Sequence, residues 1–126
     1  SVREFHTGNI IYKPEPTVAA QFDMDSVTYN AVMEGMGLVV SSPTSMASRY
    51  LSDYPVKVGA KTGTAQVGDG SADNCVFAAF APFDDPQIVF SCVIEHGVNG
   101  YYAAKGARDV FDSFFGFNKT ADDAAS

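Results

Sequence analysis

Two runs in the middle of the chain, 74–82 (NCVFAAFAP) and 86–95 (PQIVFSCVIE), constrain its fold more than any other feature. Each is apolar at both alternating sets of positions. Val76, Ala78 and Phe80 oppose Phe77 and Ala79 in the first; Ile88, Phe90 and Ile94 oppose Val89 and Val93 in the second. Successive side chains of a strand point to opposite faces, so strands of this kind belong to a sheet covered on both sides. The connection "FDDP" reads as a tight hairpin. Upstream, "VKVGAKTGTAQV" over 56–67 and the turn cluster "GDGSAD" add a third strand and complete an antiparallel meander.

Cover for that sheet has to come from two helical patterns. The first spans 27–40 behind the N-cap chemistry of Asp25 and Ser26, with Tyr29, Val32, Met33, Met36 and Val40 on one stripe. Gly35 and Gly37 weaken it near its end. The second spans 101–115, with Ala103, Ala107, Val110, Phe111 and Phe114 as its apolar stripe and Gly116 as its stop. Residues 2–22 read as extended structure broken by a turn at Thr7-Gly8-Asn9, and 41–55 as a loop with one helical turn around 46–51. The expectation is an α+β fold: an antiparallel three-stranded meander plus an N-terminal extended hairpin, with the C-terminal helix on one face. The 27–40 helix is thin cover for the other. Residues 1–116 form one unit and 117–126 a mobile tail.

The 126 residues suit one domain or a piece of one. Eight basic against fifteen acidic residues give a net charge of −7, the wrong sign for a phosphate-backbone partner, so no nucleic-acid partner is expected. No run reaches the ~20 apolar residues of a membrane span, and nothing resembles a signal peptide. The chain opens on Ser1 without an initiator Met, which reads as processing or as a cut-out of something longer. Cys75 and Cys92 fall in the two apolar strands, nearly opposite if these form one hairpin, as buried small residues or as a cross-strand disulfide. With no CxxC and with His6 and His96 far apart, no metal site is expected. Asp84-Asp85 is a hairpin turn, Asp122-Asp123 is too loose for a cation, and Glu95-His96 is a polar pair at a strand end.

The stretch "KTGTAQ" carries the chemistry. Lys61, Gly63 and Ala65 share one side of the third strand with Lys57 and Gly59; Thr62 and Thr64 share the other with Val56, Val58 and Ala60. A strand end with a cation, two hydroxyls and a glycine can bind a carboxylate and let a ligand's backbone lie alongside. It can also be a polar edge strand whose lysine discourages aggregation.

The wider context resembles the C-terminal part of the transpeptidase domain of class B penicillin-binding proteins. The resemblance rests on "KTGTAQ", the "FAAFAPFDDPQIVF" hairpin, "EHGVNGYYAAKGARDVFDSFF" and, upstream, "NAVMEGMGLVV", all in that family's order over about residues 10–116. It implies that Lys61 supplies positive potential and assists proton transfer, and that Thr62 and Thr64 hold the carboxylate of a D-Ala-D-Ala stem peptide or of a β-lactam. It also implies that Gly63 permits close approach and that the Thr64 backbone N–H is an oxyanion-hole donor. No cofactor is implied. Two departures stand out: Ala60 occupies the position usually held by glycine, and the upstream loop reads "SPTSMA" in place of a "GTA".

A serine acyltransferase also needs a nucleophile with its base. No serine here has a lysine three residues on, and none has an asparagine two residues on. The resemblance is therefore to the final third of such a domain, and the chain alone is expected to be inactive. Its exposed sheet face should be covered by the missing subdomain or by self-association. The parent would be extracytoplasmic and membrane-anchored through a segment absent from this chain. The other readings are a non-enzymatic β-lactam sensor of the same fold and a small α+β interaction protein.

Overall fold

The computed structural model describes residues 2–15, 17–68, 70–97 and 101–117, all but the side chain of Tyr101. The last nine residues of the expected tail, Asp122 and Asp123 among them, lie outside the described residues. In chain order the elements are β1 (Val2–Arg3), β2 (Ile10–Tyr12), α1 (Ser26–Ser41), α2 (Ser48–Leu51), β3 (Gly59–Ala65), β4 (Asn74–Ala81), β5 (Ile88–Ile94) and α3 (Tyr101–Phe115). Strands β3, β4 and β5 form the expected meander, in that order and antiparallel throughout.

Several expected boundaries move. Pairing begins at Gly59, opposite Phe80, so Val56–Val58 lie outside β3. Lys57 contributes only its carbonyl, which accepts from the Phe83 N–H at 2.8 Å. Pro82 lacks an N–H and Ala81 ends β4. The N-terminal hairpin forms, with Gly8 at φ +71° in its turn, but as a separate two-stranded sheet of very short strands. The rest of the segment expected to be extended, 13–22, has no regular structure where described and is exposed.

Helix α1 starts where the cap chemistry places it. Asp25 accepts from the Thr28 N–H at 2.9 Å and from its hydroxyl at 2.7 Å, and these bonds hold the Asp25 carboxyl below the usual carboxylate range. The helix continues through both glycines, and a β-carbon at Gly37 would touch the Phe83 ring at 3.4 Å. Helix α1 packs on β3 and α2, yet Tyr29 and Val32 of its predicted stripe are exposed and only Val40 is fully buried.

Helix α3 crosses β4 and β5 and also meets α2. The register places Cys75, Phe77, Ala79 and Ala81 on its side of the sheet, level with Ala60 of β3 and with Ile88, Phe90, Cys92 and Ile94 of β5. The stripe that α3 buries is Ala103, Ala104, Ala107 and Phe111; Val110 and Phe114, assigned to that stripe from sequence, face outward. Gly116, at φ +77°, ends the helix, and the Phe117 N–H donates back to the Asp112 carbonyl at 2.8 Å. Phe117 then stacks on Phe115 and meets Tyr54 edge-on, so the first residue of the expected tail belongs to the packed body.

Arg108 ties α3 to the α2 loop. Its Nη1 donates to the Tyr50 carbonyl at 2.6 Å and to Asp53 Oδ1 at 2.5 Å, and its guanidinium lies 5.5 Å from the Tyr54 ring. Burial, followed by the neighbouring Asp112 carboxylate, pushes the Tyr54 phenol well above its ordinary value.

Both cysteines are free. Cys75 lies opposite Ile94 and Cys92 opposite Phe77, so the two thiols are diagonal neighbours rather than facing partners. Burial, with Cys92 adding a smaller effect, raises the Cys75 thiol. Glu95 and His96 fall in a turn beyond β5 rather than in the strand, with His96 at φ +53°.

Candidate active site

Residues Lys61 to Thr64 lie in the middle of β3, on an outer strand of the meander. The two-residue alternation holds: Lys61 and Gly63 face away from α3, while Thr62 and Thr64 share the face of the buried Ala60. Lys61 is exposed and its Nζ donates to the Thr62 carbonyl at 2.7 Å. Thr62 is half-buried opposite Phe77, and Thr64 is exposed opposite Cys75. A cation and a hydroxyl pair therefore flank the strand from opposite faces, and their common meeting place is its outer edge.

The glycines behave differently from one another. A β-carbon at Gly63 would meet Val76 at an ordinary 3.5 Å, so nothing in this fold demands glycine there. At Gly59 a β-carbon would sit 2.4 Å from Phe80 Cζ, so the Phe80 ring would have to move to admit it. Ala60, the departure from the family pattern, lies fully buried opposite Ala79, where two small side chains pair on the α3 face. The close-packing requirement thus falls one residue earlier, on Gly59, because the Phe80 ring covers it.

Within the sheet the only serine is Ser91. It lies level with Lys61 across Ala78, two strands away and so ~10 Å off, outside hydrogen-bond reach. No serine of the sheet is brought to Lys61. No group of three or more His, Cys, Asp or Glu side chains suited to a metal ion occurs among the described residues, and Asp84 instead approaches Lys57 Nζ at 3.8 Å. A groove of about 790 Å³ opens at the entrance to β3, between Met33, Glu34 and Leu38 of α1 and Val56, Lys57 and Phe83, and none of Lys61, Thr62, Gly63 or Thr64 lines it.

One contact near this strand was not foreseen from sequence. The His96 N–H donates to Asn74 Oδ1 at 3.0 Å, and the His96 ring nitrogen Nδ1 lies 3.0 Å from the Ala72 carbonyl. Asn74 pairs with Ala65, the residue after Thr64. The only signal for it was a polar pair at a strand end.

A family model described as the penicillin binding protein transpeptidase domain matches residues 2–115. The peptidoglycan D,D-transpeptidase MrdA of Escherichia coli K12 is 29% identical over 112 residues, covering 78% of this chain but 17% of the relative. Among solved structures, Pseudomonas aeruginosa PBP2 in complex with WCK 5153 aligns with a TM-score of 0.63 at 28% identity, over 85% of this chain and 24% of that one. Penicillin-binding protein 2B of Streptococcus pneumoniae R6 aligns with a TM-score of 0.64 at 25% identity, over 90% of this chain and 19% of that one. The chain thus spans a quarter or less of the length of these relatives.

Proposed function

The chain belongs to the penicillin binding protein transpeptidase domain family, and from that premise we propose that it is the C-terminal segment of a peptidoglycan D,D-transpeptidase. Such an enzyme cross-links stem peptides through an acyl-serine intermediate. On this reading the segment supplies one wall of the site, and the serine and its lysine partner come from outside these residues.

The observation that carries the reading is the split of Lys61 and Thr62/Thr64 across the two faces of an outer strand. Thr62 and Thr64 present hydroxyls that hold the terminal carboxylate of a D-Ala-D-Ala end, or the carboxylate of a β-lactam. Lys61 adds positive potential over the acyl centre and assists proton transfer, and the Thr64 N–H donates to the oxyanion. Gly63 has no packing reason to be glycine within this fold, which supports close approach of a ligand backbone as its reason. The half-open sheet face is covered by the remainder of the transpeptidase domain, in keeping with the small share of its relatives' length that this chain spans. No helix among the described residues is long and apolar enough to cross a membrane. As part of the same proposal, the enzyme works on the extracytoplasmic side and is anchored in the membrane through a different segment.

Labelling with a fluorescent penicillin tests this. In the full-length protein, Lys61→Ala is expected to abolish acylation, whereas the 126-residue chain alone should form no covalent adduct by intact-mass spectrometry. Undiminished labelling of the Lys61→Ala protein would overturn the role of the wall. A stoichiometric adduct on this chain alone would overturn the location of the nucleophile.

A further inference from the structure

We infer that His96, acting through Asn74 and Ala72, is a positioning residue for the end of the K-T-G strand. This rests on the reading of β3 as a substrate wall and deepens it.

His96 is the only non-glycine residue with positive φ among those described, at φ +53°. Such a conformation persists where the surroundings over-determine it. Two bonds do so here. The backbone N–H reaches Asn74 Oδ1, and ring Nδ1 reaches the Ala72 carbonyl, each at 3.0 Å. A carbonyl only accepts, so Nδ1 carries the hydrogen and donates.

Its place in the register gives it a consequence. Asn74 opposes Ala65, and Cys75 opposes Thr64; these are the last two pairs of the β3–β4 hairpin. The connector beyond them carries Gly68 and Gly70, both at positive φ and both with no atom within 4 Å of a would-be β-carbon. The hairpin end is thus held from the β5 side rather than by packing at these two turn residues. Both bonds span more than twenty residues of sequence, joining the exit of β5 to the start of β4 and the connector just before it. Without them the Ala65–Asn74 and Thr64–Cys75 pairs become a free strand end, and the Thr64 N–H loses its fixed position. Displacing a reacting group by ~1 Å can cost up to ~100-fold in rate.

The test uses the full-length protein with His96→Gly, Asn74→Ala and Asn74→Asp. Glycine is the better residue for positive φ, so a mere turn position would tolerate His96→Gly or gain from it. The clasp predicts instead that His96→Gly and Asn74→Ala speed hydrogen–deuterium exchange across residues 63–66 and 74–76 by about tenfold. It also predicts that they slow acylation by a fluorescent penicillin by about tenfold. Asn74→Asp keeps an acceptor for the His96 N–H and should restore both. Unchanged exchange in His96→Gly and Asn74→Ala overturns the clasp; faster exchange with unchanged acylation overturns its positioning role. Exchange needs no substrate, so failure of the clasp is told apart from failure of the Lys61 wall.

Discussion

The two faces of the β3–β5 sheet are made by the same three strands and finish very differently. On the α3 side, Ala60, Cys75, Phe77, Ala79 and Ala81 are all buried, closed over by Ala103, Ala104, Ala107 and Phe111. On the other side Val76, Ala78 and Phe80 are half-buried, while Val89 is 72% and Val93 60% exposed. Helix α1 reaches β3 but leaves β5 uncovered. The difference lies in what lies against each face: α3 presents alanines, whose small side chains let the helix axis approach the strands closely. The open face carries Lys61 and Gly63 while Thr62 and Thr64 share the closed one, so the candidate site straddles the boundary between the two at the outer edge of β3.

The largest expected effect separates the two faces directly. Phe77→Ala removes a fully buried ring from the closed face and should cost ~3–5 kcal/mol in urea denaturation. Val93→Ala on the open face should change stability by less than about 0.5 kcal/mol. Similar losses at both positions would break the contrast. A smaller effect sharpens it at β3, where the open face is packed after all: Gly59→Ala drives a β-carbon into the Phe80 ring and should cost ~1–3 kcal/mol. In a Phe80→Ala background that cost should largely vanish, and an additive double mutant would show that the ring is not what excludes the methyl. The smallest effect concerns the closed face's rim. The Arg108 hydrogen bond holds Asp53 below its ordinary value of 3.8. Its contribution is therefore present above that pH and lost as pH falls below it. Thermal melting of Asp53→Asn against the unaltered chain should show a small difference at about pH 6 that narrows as the pH is taken below 3.8.

Much of this could be read from residue order. The meander, the cap at Asp25 and the stop at Gly116 are local chemistry, and the alternation of Lys61 against Thr62 and Thr64 follows from the period of a strand. The buried stripe of α3 could not be read so readily. Val110 and Phe114 are more apolar than Ala103 and Ala104, yet the alanines face the sheet, because closeness of approach rather than hydrophobicity selects the stripe. Tyr29 and Val32 form a regular stripe on α1 that stays about half exposed, at 53% and 51%. The diagonal placement of Cys75 and Cys92 turns on a register offset of two residues. The Asn74–His96 contact is long-range, and no local pattern announces it. The proposed roles of Lys61, Thr62, Gly63 and Thr64 come from family likeness and geometry together, and labelling experiments are their test.

The bond from Lys61 Nζ to the carbonyl of its own neighbour, Thr62, makes the ammonium its own competitor. On the proposed reading, an anion arriving at the strand would not meet a vacant cation; it would have to displace an intramolecular acceptor. Weak, monodentate anions would lose that contest. On the same reading, a carboxylate that also engages the two threonine hydroxyls would bring enough simultaneous contacts to win it, and the lysine would then filter ligands by valency as well as by charge.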